Sequence, residues 1–249
     1  MSRGLVYAIL GRGRWAGKIL AILTAENREV VNLEETRQAA DEGISEYRSR
    51  LAEQIRAKGA QAVWLCVPPG PHVNVMIEAA LDAGVHVIAE KPWYGSRQVT
   101  TALIERSRAL RRIVAINYEY CLLKEVETWR INYAADSGIR FGGRFFLNRV
   151  NRTGVPAIDN LGSHLASIRA FAVPKSELGE IQCGYERADE RCAWLERESH
   201  RFAFIDLLAA KEPIIQRFID KFEAALDAGE FPLNLNHALR VAEDLAALR

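Results

Sequence analysis

The run Gly11-Arg12-Gly13-Arg14-Trp15-Ala16 fits the pattern G-x-G-x-x-G/A. In a turn of that pattern the first glycine permits a tight bend and the second lets the backbone approach a pyrophosphate. The last small residue keeps the following helix close to its strand, and the unsatisfied N–H groups at the helix start receive the anion. Glu34 lies 23 residues beyond Gly11, at the end of a predicted second strand. A carboxylate there bonds the 2′-hydroxyl of an adenosine ribose and repels a 2′-phosphate. Arg12, Arg14 and Arg37 could instead neutralise such a phosphate. The expected ligand is therefore NAD or NADP, with Glu34 tipping the balance toward NAD.

The elements needed to position this turn follow from hydrophobic patterning. An aliphatic run from Leu5 to Leu10 precedes the glycines, and an apolar-periodic segment from Trp15 to Thr24 follows them, which is strand, turn, helix. Further strands fit Glu29 to Leu33, Ala62 to Val67, Val85 to Ala89 and Ile113 to Ile116, and helices fit Ile44 to Lys58, His72 to Ala83 and Val99 to Leu110. Such alternation predicts a doubly wound parallel sheet, a Rossmann domain over residues 1–120. The rest, 121–249, reads as a small α+β domain. Strands are expected over Ile139 to Val150, Ile181 to Arg187 and Cys192 to Asp206 (one or two), in a reduced, mainly antiparallel sheet. Helices close it from Glu212 to Asp227 and from Leu235 to Leu248.

Composition limits the partners. With 33 basic and 32 acidic residues the formal net charge is +1, and 49% of the residues are hydrophobic. That balance selects neither nucleic acid nor a membrane surface, so a small-molecule substrate is expected. No run reaches the roughly 18 apolar residues that would span a bilayer, and the apolar run near Met1 is too short for a signal peptide, so a cytoplasmic location is expected. Cys66, Cys121, Cys183 and Cys192 are scattered, which argues against disulfides and against a metal site.

Two further stretches resemble one family. Val67-Pro68-Pro69-Gly70-Pro71-His72 and Ala83-Gly84-Val85-His86-Val87-Ile88-Ala89-Glu90-Lys91-Pro92 are similar to segments of the glucose-fructose oxidoreductase and inositol dehydrogenase family, Gfo/Idh/MocA. The resemblance covers residues 1 to about 125, including Asn117-Tyr118, and only fragments beyond. It implies a nicotinamide-dependent oxidoreductase acting on a sugar hydroxyl or ketone. It also implies that Gly11, Gly13 and Ala16 bind the pyrophosphate, that Arg12, Arg14 and Trp15 belong to the same cofactor site, and that Pro68 and His72 border the nicotinamide half. Glu90, Lys91 and Pro92 would be the family's E-K-P motif, whose lysine touches the substrate oxygen and helps position the nicotinamide. A lysine at the carboxyl end of a parallel strand suits that role, because such sheets bind ligands there. His86 reads as structural.

Asn160-Leu161-Gly162-Ser163-His164 resembles the family's D-x-G-x-H segment, in which the histidine is the acid/base. Here Asn160 stands in the aspartate's place and can only hydrogen-bond. Asp159 is set about 100° away on a helix and does not replace it. Lys91 and His164 are thus the expected catalytic residues, with Asn117, Tyr118 and Asn160 as substrate contacts. Trp129, Trp194, Tyr118 and Tyr120 are read as core before pocket. The shortened second half implies a thin substrate floor and a homodimer formed through its sheet. The expected activity is hydride transfer to or from a carbinol, carbonyl or imine. The alternative is a non-catalytic dinucleotide-binding sensor or assembly subunit.

Overall fold

The computed structural model describes residues 5–33, 36–152, 154–210 and 213–249. Glu34 and Glu212 lie outside the described residues. Two compact units emerge, one from residues 1–117 with 220–236 and the other from 118–219 with 237–249.

The first unit alternates β1 (Val6–Leu10), α1 (Arg14–Ala25), β2 (Glu29–Asn32), α2 (Ile44–Ala57), β3 (Ala62–Leu65), α3 (His72–Asp82), β4 (His86–Ala89), α4 (Arg97–Ala109) and β5 (Val114–Ile116). The five strands are parallel in the order β2-β1-β3-β4-β5. Helices on both faces leave the central strands no polar side, so Ala62, Val63, Trp64 and Leu65 are all buried. On α1 the buried residues Ala16, Ile19 and Leu23 recur at helical spacing.

Residues 220–236 complete this unit. The Ile116 N–H donates to the Leu233 carbonyl at 2.8 Å, and Ala115 bridges Asn234 in antiparallel sense. Phe222 and Phe231 meet edge to face in the core. Arg28 donates to both Glu223 carboxylate oxygens at 2.8 and 3.0 Å and to Asp220 at 2.7 Å. The Tyr7 hydroxyl donates to Glu223 at 2.8 Å, and with burial this pushes the phenol up, so it stays neutral. At the start of β4, His86 Nδ1 accepts from the Ile113 N–H at 3.1 Å, and burial lowers its pKa to about 4.

The second unit holds a 3₁₀ turn (Glu119–Leu122), α5 (Lys124–Tyr133), β6 (Arg140–Leu147), α6 (Ala157–Asn160), α7 (Gly162–Ala172), β7 (Glu177–Tyr185), β8 (Glu190–Arg197) and β9 (His200–Asp206). Its last two helices are α8 (Ile214–Ala224) and α9 (Leu235–Ala247), each shared with the first unit. The four strands run in the order β7-β6-β8-β9. The β6–β8 and β8–β9 pairs are antiparallel, whereas β6 and β7 are parallel. Gly142 on β6 lets the Trp194 indole lie flat on the strand, since a Cβ there would come within 2.5 Å of the ring. The β8–β9 connection is a two-residue loop, Glu198-Ser199, with both residues at positive φ. That geometry matches the strand twist without the glycine that usually marks it.

His237, on α9, is fully buried, edge-on to Tyr118 and Phe171, with Nε2 4.0 Å from Cys121 Sγ. Burial, aided by Arg240 and Arg130, lowers its pKa to about 3. The unfolded chain protonates this ring near pH 6.5 while the folded chain does not, so stability is complete above that pH and is lost as pH falls toward 3. We expect the unfolding free energy to drop by about 1.4 kcal/mol for each pH unit below 6.5 from this residue. Urea unfolding at pH 7, 6 and 5 measures the slope, which His237→Gln is expected to flatten.

Candidate functional site

The carboxyl edge of the parallel sheet carries the chemistry-bearing residues of the first unit. Leu10 pairs with Leu65, Leu65 with Ala89 and Ala89 with Ile116, so the residues that follow form one row, Gly11, Cys66, Glu90 and Asn117. Backbone bonds extend the ladder into this row, from Cys66 N–H to Leu10 O at 2.7 Å, Glu90 N–H to Leu65 O at 3.3 Å and Asn117 N–H to Ala89 O at 2.9 Å.

Gly11 has φ +131° and its missing Cβ would lie 2.2 Å from the Cys66 carbonyl oxygen, so no other residue fits. Gly13 precedes α1 in an extended conformation, and a Cβ there would meet nothing within 4 Å. No side chain caps α1 and no acidic residue stands in its first turn. The free N–H groups and the open space over Gly13 fit a dinucleotide pyrophosphate. Arg12 and Arg14 are exposed beside them, Trp15 is half-buried under the Lys18 ammonium at 4.9 Å, and Ala16 is buried against the sheet.

Glu90 is held from several directions. Its Oε1 accepts the Trp64 indole N–H at 2.9 Å and the Asn117 amide at 3.0 Å. Burial raises its pKa, opposed by the N–H groups of Trp15, Trp64 and Asn117 and by the Lys91 charge. Lys91 follows at the end of β4, half-buried, and a cis peptide bond joins it to Pro92. Trp93 fixes the continuing loop by donating to Thr100 Oγ1 at 2.9 Å. After β3, Pro68 is exposed, and His72 opens α3 with its ring folded back against Gly70. Burial and the Glu90 charge push the Cys66 thiol up, which leaves it a poor nucleophile.

In the second unit His164 sits in the first turn of α7, 6% exposed. Its ring stacks on Phe145 at 4.7 Å and meets Tyr120 edge-on at 4.9 Å. Asn160 ends α6 and is separated from α7 by Leu161, and its amide donates to the Tyr185 hydroxyl. Asp159 is buried and paired with Arg249. Tyr118 is 1% exposed, and the Asn117 amide N–H is spent on Glu90, so both are tied into packing. The sequence reading missed Trp64, Tyr185 and Arg191. A tryptophan inside a buried strand was a signal, because a buried indole N–H needs an acceptor.

Residues 6–118 match the family model described as "Oxidoreductase family, NAD-binding Rossmann fold", GFO_IDH_MocA. These residues are a Gfo/Idh/MocA-family domain. A likeness of fold to solved structures extends over nearly the whole chain. UDP-N-acetylglucosamine 3-dehydrogenase GnnA from Acidithiobacillus ferrooxidans is 17% identical, with a TM-score of 0.76 over 99% of this chain and 97% of that one. The WlbA (WbpB) dehydrogenase from Thermus thermophilus, in complex with NAD and UDP-GlcNAcA, is 13% identical, with a TM-score of 0.72 over 98% and 94%. An inositol dehydrogenase homolog from Azotobacter vinelandii, complexed with NADH and myo-inositol, is 15% identical, with a TM-score of 0.70 over 98% and 94%. No curated protein matches the sequence. Among the described residues no His, Cys, Asp and Glu cluster could hold a metal, and no helix is long and apolar enough to cross a membrane.

The two glycines separate folding from binding. Gly11→Ala is expected to destabilise the domain, since its Cβ collides with backbone. Gly13→Ala should leave the melting temperature within a degree or two yet weaken NADH binding at least about tenfold, because the methyl group occupies the space the pyrophosphate approaches. Melting curves with NADH fluorescence titrations distinguish the two.

Proposed function

We propose that this chain transfers hydride between NAD and a carbinol or carbonyl carbon of a sugar-like substrate, imine reduction being a close variant. The observation that carries this reading is the row at the carboxyl edge, where Lys91 follows Glu90 on the same sheet edge that presents Gly11 and the free backbone N–H groups of α1. The bound nicotinamide supplies the hydride acceptor or donor. In this reading the α1 N–H groups and the Gly13 backbone hold the pyrophosphate, with Arg12, Arg14, Trp15 and Ala16 around them. Pro68 and His72 border the nicotinamide half, beside the Glu90-Lys91-Pro92 corner. The Lys91 ammonium donates a hydrogen bond to the substrate oxygen and stabilises the charge that develops there. In this reading His164, in the second unit, is the acid/base residue.

The relatives in fold named above act on or bind hydroxylated rings, which supports a sugar-like substrate. Asn160 in the aspartate's place lacks a carboxylate, which imine reduction tolerates better than the oxidation of an alcohol does. NAD is favoured over NADP on sequence spacing alone, a carboxylate 23 residues after Gly11 being the pattern that goes with a free ribose 2′-hydroxyl. We also propose a homodimer through the second sheet, where β9 is an edge strand and Phe204 is 54% exposed. Light scattering at micromolar protein should give twice the mass of 27.9 kDa, and a monomer mass removes this part.

Titration with NADH and NADPH, followed by a screen of keto-sugars, aldehydes and cyclic imines, tests the main reading. Lys91→Ala and His164→Ala are each expected to lower kcat by about 10²-fold or more while the NADH Kd stays within about twofold. Full turnover in both variants would discard these roles, and a failure to bind either cofactor would discard the reading.

A further inference from the structure

Arg191 lies on β8 directly across from Phe145 of β6, on the sheet face that packs against α7. Its guanidinium carbon is 5.4 Å from the Phe145 ring centre, and Nη1 donates a long bond, 3.4 Å, to the Tyr120 hydroxyl. Tyr120 and Phe145 are the two rings that enclose His164. Arginine, phenol and imidazole thus surround one aromatic ring.

No carboxylate among the described residues pairs with this guanidinium, although it is half-buried and its Nε is buried without an acceptor. The Nε of Arg144, Arg169 and Arg217 is likewise unbonded, but every other half-buried arginine holds a carboxylate or a backbone carbonyl. Arg28, Arg48, Arg169 and Arg217 hold carboxylates and Arg112 holds backbone carbonyls. The adjacent Glu190 accepts from Arg144, and the adjacent Asp189 accepts the Asn148 N–H. Tyr120 supplies no counter-charge, since burial holds its phenol protonated. A partly desolvated cation without an anion is costly, and a planar fork with free donors is the group that reads a carboxylate or phosphate in two bonds.

We infer that Arg191 is an oxyanion-binding residue of the substrate site, and that the sugar-like substrate carries a carboxylate or phosphate within reach of it. This rests on the proposed reading in taking His164 as a group that faces substrate. Arg191 binds and orients the ligand and takes no part in proton or hydride movement. Tyr120 holds the guanidinium over Phe145 and exchanges its long bond for the ligand's oxygens.

Calorimetric titrations of the full chain, with and without NADH, use D-glucuronate and D-glucose 6-phosphate against neutral D-glucose. At least one anionic sugar is expected to bind about tenfold or more tighter than glucose, and Arg191→Gln is expected to erase that preference. Tighter glucuronate identifies a carboxylate, and tighter sugar phosphate identifies a phosphate. Arg191→Gln should also melt no lower than the native chain, because it removes an unpaired charge, whereas Arg169→Gln, which strands Asp244, should melt lower. Equal binding of charged and neutral sugars, or a preference that survives in Arg191→Gln, overturns the inference while intact NADH binding leaves the oxidoreductase reading standing. An Arg191-dependent preference without binding of NADH or NADPH does the reverse.

Discussion

The Glu90 carboxylate is the tie on which the candidate site depends. It accepts N–H groups from Trp64 on β3 and from Asn117 at the end of β5, and so braces the corner that carries Lys91 against both neighbouring strands. A side chain at the end of a strand is otherwise free to swing, because the ladder holds only its backbone. Here side-chain contacts join the last rung of the ladder, and a carboxyl with several donors has few alternative arrangements. Because Lys91 is the next residue, its orientation inherits that order.

Much of this architecture was legible in the residues. Continuous apolar runs such as Ala62-Val63-Trp64-Leu65 have one explanation, a strand covered on both faces, and the glycines after β1 admit one kind of turn. The second unit was harder to read for two opposite reasons. In α7 nearly every residue is buried, so no polar stripe marks the helical period, whereas α5 buries only Val126 and Trp129 and looks like a solvated segment. The parallel pairing of β6 and β7 was equally hidden, since alternation along a strand is the same for either direction of its neighbour.

At the site, sequence signals worked where backbone geometry demands a residue type and failed where side chains meet across the fold. Gly11 could be named because its positive φ and its contact with Cys66 exclude a side chain. The Arg191, Tyr120 and Phe145 cluster draws on residues far apart in the chain, and an arginine in a strand otherwise reads as solvated surface. Likewise the Asn160 amide finds Tyr185 25 residues away, a pairing no local pattern announces.

Residues 220–236 have a consequence for how the protein is made. Glu223, the acceptor that Arg28 and Tyr7 both need, is added 195 residues after the first and 216 after the second. Until then the nascent first unit carries a guanidinium and a phenol without their carboxylate, and the sheet lacks the strap at Ile116. The unit therefore cannot finish folding in order of translation, and its completion waits for residues 220–236. A nascent chain interrupted after residue 117 would present an open edge at β5, the kind of surface that holdase chaperones shield.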